Sequence, residues 1–301
     1  MSLPLACPAC HGALEWDGAA RCTGCAAEYP VVDGIPLLVA PGSDALDLWE
    51  EAESGLARVL RENPELESAL LDPPASALAP ADAFLRALVL EERGEADEVD
   101  AAFARLHPPD VLACMAAQID SLCARVEGGL VVDLASGRGT LLERLQGSVQ
   151  GTLVATDVSP RALRRARRRG IQAVACDVRA LPFADGSVEC ATTFLGLNNV
   201  QRPGELLTEL RRVARRFLAA HLVYEPGTEN DAVLDELGLA QLSYRDSLLD
   251  ALDRAGWAAD VVSWCSTTLQ PAPTGVLLED AVIDRLPVET VQGTWLTIDA
   301  T

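Results

Sequence analysis

Val131-Val132-Asp133-Leu134-Ala135-Ser136-Gly137-Arg138-Gly139-Thr140 decides how the rest of the chain is read. A short apolar run ends in a carboxylate, turns through small residues that include two glycines, and opens a segment carrying Leu141, Leu142 and Leu145. The spacing predicts a strand, a tight loop and a helix start. In that arrangement backbone N–H groups at the head of a parallel sheet meet a nucleotide-like ligand. Gly137 and Gly139 lack a Cβ, so the backbone there can approach a ligand closely and adopt positive φ.

Working outward, Thr152 to Asp157 and Ile171 to Asp177 are further apolar runs that end in carboxylates, the latter continuing into Val178-Arg179-Ala180-Leu181-Pro182-Phe183. A fourth run, Val188 to Phe194, leads into Leu195-Gly196-Leu197-Asn198-Asn199-Val200. Carboxylates at successive strand ends suit a ligand rich in hydroxyl and amine donors. A pyrophosphate would be repelled. Taken singly, Asp157 before Ser159-Pro160 could be a helix cap and Asp177 a turn residue. Together with Asp133 they mark one edge of a sheet as a binding site. Leu218 to Tyr224, Asp260 to Cys265 and Thr294 to Ile298 read as the remaining strands, with a helix at Asp246 to Ala255 and an insertion at Leu269 to Val291. The alternation predicts an α/β fold with a seven-stranded, mostly parallel sheet, helices on both faces and the last strand antiparallel.

The series DLASGRG, ATDVS, CDVRALPF and TFLGLNNV over about residues 128–226 resembles the motifs of class I S-adenosylmethionine-dependent methyltransferases. It is most similar to the ubiquinone/menaquinone-biosynthesis C-methyltransferase type. The resemblance implies a Rossmann-like sheet in which Asp133, Ala135, Gly137 and Gly139 line the methionine moiety. Asp157 would hold the ribose hydroxyls, Asp177 the adenine amine, and Val178 would flank the ring; Ser136, Val158 and Phe194 complete the set. The chain departs from the family where a Pro-Gly-Gly turn usually precedes strand five, reading Arg215-Arg216-Phe217-Leu218-Ala219-Ala220-His221.

Cys7-Pro8-Ala9-Cys10 and Cys22-Thr23-Gly24-Cys25 form a second pattern. Two such knuckles can place four thiolates around one tetrahedral Zn²⁺ at about 2.3 Å each. A segment of roughly forty residues has too small a core to fold alone, so a metal staple is physically motivated. Two disulfides or a redox CxxC are the alternatives. Disulfides are disfavoured because Met1-Ser2-Leu3-Pro4 leads into the knuckle without a secretory signal. With four cysteines as ligands the zinc is expected to be structural, and the segment through Leu38 resembles the small zinc-ribbon proteins that activate methyltransferases. Cys114, Cys123, Cys176, Cys190 and Cys265 lack metal-like spacing and read as unpaired thiols, which suits a reducing cytoplasm.

The chain is therefore expected to divide into a zinc ribbon (1–40), a helical cap or linker (41–125) and a cofactor-binding domain (126–301). In the middle segment Leu46, Trp49, Leu56, Val59 and Leu60 recur at helical spacing, with further helices at Ala83–Glu92, Val99–Leu106 and Val111–Val126. Such an extension would pack over the strand ends or merely join ribbon to sheet.

The formal net charge of −21, with no lysine, disfavours nucleic-acid phosphates. The exceptions are Arg161, Arg164, Arg165, Arg167, Arg168 and Arg169 after the second strand of the sheet, and Arg211, Arg212, Arg215 and Arg216 on the helix after the fourth. They read as a solvated face paired with the acidic helical segment. No apolar run is long enough to span a membrane.

Methyl transfer is mainly positioning, with a base where the acceptor loses a proton. Asn198, Asn199, Tyr224 and Glu225, at the ends of the fourth and fifth strands, are the candidates. His11, His107 and His221 read as structural. Three functions follow: transfer to a small-molecule acceptor, rRNA base methylation (a known guanine methyltransferase type also joins a zinc domain to this fold), or a non-catalytic regulator.

Overall fold

Short strands open the chain in the computed structural model, which describes residues 3–45, 47–103, 105–271 and 286–301. β1 (Leu14–Asp17), β2 (Ala19–Cys22) and β3 (Glu28–Tyr29) form an antiparallel three-stranded sheet, and β4 (Val31–Val32) pairs with β5 (Ile35–Pro36). These strands are too short to enclose a core. They share one with the large sheet instead: Cys7, Tyr29 and Leu38 belong to the same buried cluster as Val174, Leu181 and Phe183. Backbone joins them too, since Leu37 bridges Ala175, the Leu38 N–H donates to the Ala175 carbonyl at 2.8 Å, and Leu5 bridges Phe183.

Five helices follow: α1 (Leu48–Glu62), α2 (Glu65–Leu71), α3 (Pro80–Arg93), α4 (Ala96–Phe103) and α5 (Pro109–Cys123). Asp47 caps α1 by accepting the Glu50 N–H at 2.9 Å. Pro80 and Pro109 stand in first turns, where a missing N–H leaves no bond unmade, and Gly94 closes α3 in the left-handed conformation. Leu56, Leu70, Leu85 and Leu88 bury one another as a small separate core.

The chain then alternates: β6 (Gly128–Asp133), α6 (Thr140–Leu145), β7 (Gln150–Asp157), α7 (Pro160–Arg168), β8 (Gln172–Ala175), β9 (Val188–Phe194), α8 (Pro203–Val213) and β10 (Ala214–Tyr224). α9 (Asn230–Leu237), α10 (Ala240–Ser243), α11 (Arg245–Arg254), β11 (Ala259–Leu269) and β12 (Val291–Ala300) complete it. The strands form one seven-stranded sheet in the order β11-β12-β10-β9-β6-β7-β8. β12 runs antiparallel to both neighbours, while β6 to β10 pair in parallel. Leu130 and Val132 enter one buried cluster and Val131 the other, so both faces of β6 are covered. β9 lies directly beside β6 although two strands separate them in sequence. The chain thus leaves neighbouring strands in opposite directions and opens a crevice at their C-terminal ends.

Three expectations need correction. Arg215 and Arg216 lie in β10, which begins at Ala214, rather than on the preceding helix; Arg216 pairs there with Asp299 of β12 at 2.7 Å. β11 and β12 pair over their whole length, Ala259 with Ala300 through Leu269 with Val291, and so exceed the runs read from sequence. Most of the expected insertion, residues 272–285, lies outside the described residues. Finally, Cys114 of α5 and Cys265 of β11 form a disulfide across 151 residues, so two of the cysteines read as free thiols are paired. No local pattern links residues so far apart. Among the described residues no helix is long and apolar enough to cross a membrane.

Candidate functional site

The loop after β6 is held open by its own hydrogen bonds. Leu134 N–H donates to the Thr192 carbonyl at 2.7 Å and Ser136 N–H to the Thr156 carbonyl at 2.8 Å, tying the loop to β9 and β7. Ala135, Gly137 and Gly139 all adopt positive φ, which turns the chain back sharply into α6. A cavity of about 330 Å³ opens in front of it. Asp133, Ala135, Ser136, Gly137, Asp157 and Val158 line one side. Asp177, Val178 and Phe194 line the other. Of the residues expected around a cofactor, Gly139 alone stands back from the wall, as the residue that opens α6.

The three carboxylates differ in what they hold. Asp133 is buried and accepts the Thr192 hydroxyl at 2.7 Å; burial pushes it up to about 7. Asp157 accepts Gly137 N–H at 2.9 Å and Ser159 N–H at 3.0 Å, joining the glycine loop to the start of α7. Its burial also raises its pKa, against the pull of those N–H donors. Asp177 is the most heavily engaged. It accepts Arg179 N–H at 2.9 Å, the Arg179 guanidinium at 2.8 Å and the Ser43 hydroxyl at 2.7 Å. Burial alone would raise its pKa, but Arg179 and Ser43 prevail and hold it below the usual carboxylate range. Ser43 comes from the segment after the ribbon, and its neighbours Asp44, Ala45 and Leu48 roof the same cavity. Asp44 pairs with Arg179 at 2.9 Å and with Arg202. No local pattern marks this roof, because its residues stand 85 or more positions from the motifs they cover.

A second cavity of about 500 Å³ adjoins the first, and Leu195 and Asn199 line both. The Arg105–Pro108 segment, Val111 and Met115 of α5, and Leu222, Tyr224, Leu269 and Trp295 line it. The Asn198 side chain reaches this cavity but donates to the Leu222 carbonyl at 2.7 Å and accepts its N–H at 3.3 Å, clamping the loop to β10. Tyr224 lines the wall, whereas Glu225 is exposed and lines neither cavity. His107, expected to be structural, opens into the cavity, and the protein around it lowers its pKa. His221 is buried in mid-strand with Nε2 at 2.8 Å from the Leu242 carbonyl; burial brings it down to about 4, and it lies away from both cavities.

Away from the sheet, Cys7, Cys10, Cys22 and Cys25 bring their sulfurs within 4.8 Å of one another, with Cys7–Cys25 at 3.7 Å and Cys10–Cys22 at 3.4 Å. Four thiolates at about 2.3 Å from one tetrahedral ion would stand about 3.8 Å apart, so the set fits such an ion. Cys25 and Gly24 N–H groups point at Cys22 Sγ from 3.5 and 3.3 Å and draw its pKa down to about 6, favouring the thiolate a metal needs. The arginines of α7 meet acidic partners: Arg164 with Asp33 at 3.2 Å, Arg165 with Glu143 at 2.8 Å and Arg168 with Glu91 at 2.7 Å, while Arg161 pairs with Glu50.

Residues 131–216 match a family model described as a methyltransferase domain. Over 92 residues the chain is 39% identical to the demethylmenaquinone methyltransferase of Renibacterium salmoninarum, covering 30% of this chain and 38% of that protein. Over 96 residues it is 32% identical to a ubiquinone/menaquinone biosynthesis C-methyltransferase of Burkholderia mallei, covering 29% of this chain and 40% of that one. The chain thus spans about two fifths of the length of these relatives. Among solved structures, the YcgJ protein of Bacillus subtilis is similar at a TM-score of 0.47 and 15% identity, over 62% of this chain and 97% of that one.

Proposed function

We propose that this chain, whose residues 131–216 are a methyltransferase domain of the class I type, transfers a methyl group from S-adenosylmethionine to a small-molecule acceptor in the second cavity. The junction of the two cavities at Leu195 and Asn199 carries the reading, since it lets a ligand in one face a ligand in the other. The bound sulfonium would supply an already electrophilic methyl group. What remains for the protein is to bind, orient and exclude water. Asp133, Ala135, Ser136 and Gly137 hold the methionine end, while Gly139 shapes the turn behind them. Asp157 accepts the ribose hydroxyls, and Val158, Val178 and Phe194 flank the base. Asp177 takes the adenine amine, which must displace one of the bonds from Ser43 or Arg179. Tyr224 and His107 are the wall residues able to take a proton from the acceptor.

Residues 1–40 then form a ribbon around a structural Zn²⁺ with no open coordination position, 41–125 a helical cap, and 126–301 the catalytic domain. We place the protein in the cytoplasm, where the four ribbon thiols would stay reduced; the Cys114–Cys265 disulfide is the feature that speaks against that placement. An rRNA acceptor is disfavoured because Glu50, Asp33, Glu143 and Glu91 already engage the arginines of α7. The regulator reading is disfavoured because all three carboxylates face the cavity.

Calorimetry with S-adenosylmethionine and S-adenosylhomocysteine tests the proposal. Micromolar binding is expected for the wild type, and Asp157→Ala and Gly137→Val should abolish it. No binding to folded, zinc-loaded protein would overturn the enzyme reading.

A further inference from the structure

Within the second cavity the side chains are unevenly distributed. Val111, Met115, Leu222, Leu234, Leu269 and Trp295 make most of the wall apolar. Among the described residues no aspartate or glutamate lines it, in a chain that carries 45 of them. Arg105 does line it, is exposed, and its side chain makes no ion pair or hydrogen bond. The arginine of the first cavity behaves in the opposite way: Arg179 is bound to both Asp177 and Asp44. Arg165, Arg168, Arg212 and Arg216 likewise have carboxylate partners. The guanidinium of Arg105 thus stands unpaired in the lining of a mostly apolar cavity, in a chain of net charge −21. The indole N–H of Trp295, in the same wall, is also buried without a hydrogen-bond partner.

We infer that the acceptor is an amphiphile, with an apolar body inside this cavity and an anionic group, carboxylate or phosphate, held by Arg105. The inference rests on reading the second cavity as the acceptor site. The guanidinium offers paired donors that match either anion, and these charge-assisted bonds strengthen beside an apolar wall. With no carboxylate among the described lining residues, those residues do not repel an anion as the rest of the surface would. Neutral His107, two residues on, adds no competing positive charge. Arg105 therefore selects and orients the acceptor, while the cofactor cavity is left as it is.

The test uses the full zinc-loaded chain saturated with S-adenosylhomocysteine and three probes of equal length: decanoate, decyl phosphate and decanol. Binding is followed by calorimetry. At least one anionic probe should bind about tenfold or more tightly than decanol, and the preferred one identifies the head group. Arg105→Gln should erase that preference and leave decanol binding unchanged; Arg105→Lys should keep part of it. Equal binding of all three probes, an equal loss for decanol in Arg105→Gln, or no probe binding at all would overturn the inference. S-adenosylhomocysteine affinity is measured in the same samples. Its absence would count against the methyltransferase reading alone, because the probe comparison still judges Arg105.

Discussion

The two cavities share Leu195 and Asn199 yet are assembled by different rules. The first is largely a product of the sheet edge: β6, β7 and β8 each lead to a carboxylate in its wall, within a stretch of 45 residues by position. The second gathers Pro80, the Arg105–Pro108 turn, α5, the end of β10 and the β11–β12 rim. A fold that places strand ends side by side builds the first cavity almost automatically. The second depends on how the helical segment and the strand edge happen to meet, which leaves it free to vary in shape and charge.

Metal removal should give the largest effect, and it asks whether the first cavity really belongs to the sheet alone. Ser43 and Asp44 reach it from the chain that leaves the ribbon. Structural Zn²⁺ typically contributes on the order of 10 kcal/mol to folding of its domain. Chelation should therefore melt the ribbon in a thermal scan and weaken S-adenosylhomocysteine binding by about tenfold or more. Unchanged affinity would assign the cavity to the sheet alone.

Next in size, Cys114→Ser removes the link between α5 and β11 behind the second cavity. We expect a loss of about 2–4 kcal/mol in denaturant unfolding, with cofactor affinity unchanged within about twofold. A fall in cofactor affinity as large as the fall in probe affinity would show that the cavities are mechanically one.

Protonation distinguishes them more gently. Burial raises Asp133 from 3.8 to about 7 in the folded chain, so the fold favours its neutral form. That contribution to stability is full at low pH and fades as pH rises through 7. If ionised Asp133 meets the ammonium of the cofactor, affinity at the first cavity should rise up to about tenfold per unit between pH 6 and 7 and level off near 8. Decanol binding to the second cavity, which has no carboxylate among its described lining residues, should stay flat from pH 7 to 8. The smallest effect is expected from Arg161→Ala, which breaks a partly exposed pair with Glu50 and should cost under about 1 kcal/mol, leaving both cavities intact.

What could be read from sequence follows the same division. Asp133, Asp157 and Asp177 each end a short apolar run, so the run and its terminal carboxylate were enough to find them. The ribbon cysteines were legible for a similar reason, because metal-ligand geometry writes itself as CxxC spacing. Arg105, His107 and the roof at Ser43 and Asp44 carry no such mark. Ser43 and Asp44 act through contacts across more than 130 residues, Arg105 and His107 meet the rest of their cavity only through the tertiary fold, and a lone arginine before a proline turn looks like any surface charge. Asn198 is instructive in the other direction: its motif position suggested chemistry, while its amide is engaged in holding β10. The Cys114–Cys265 pair was missed because nothing local brings α5 onto β11.

The bridge from Leu37 to Ala175 has a consequence for how the protein survives in solution. β8 is the last strand of the large sheet, and its outer row of N–H and C=O groups would otherwise lie open to any other extended chain. The ribbon covers that row, so metal supply and protection against aggregation are joined at one place. Among the described residues no strand or bridge covers the outer edge of the opposite border, β11, which presents Trp264 at 67% exposure. A chain starved of zinc would then have two adhesive borders instead of one, and precipitation would be an early sign of metal shortage.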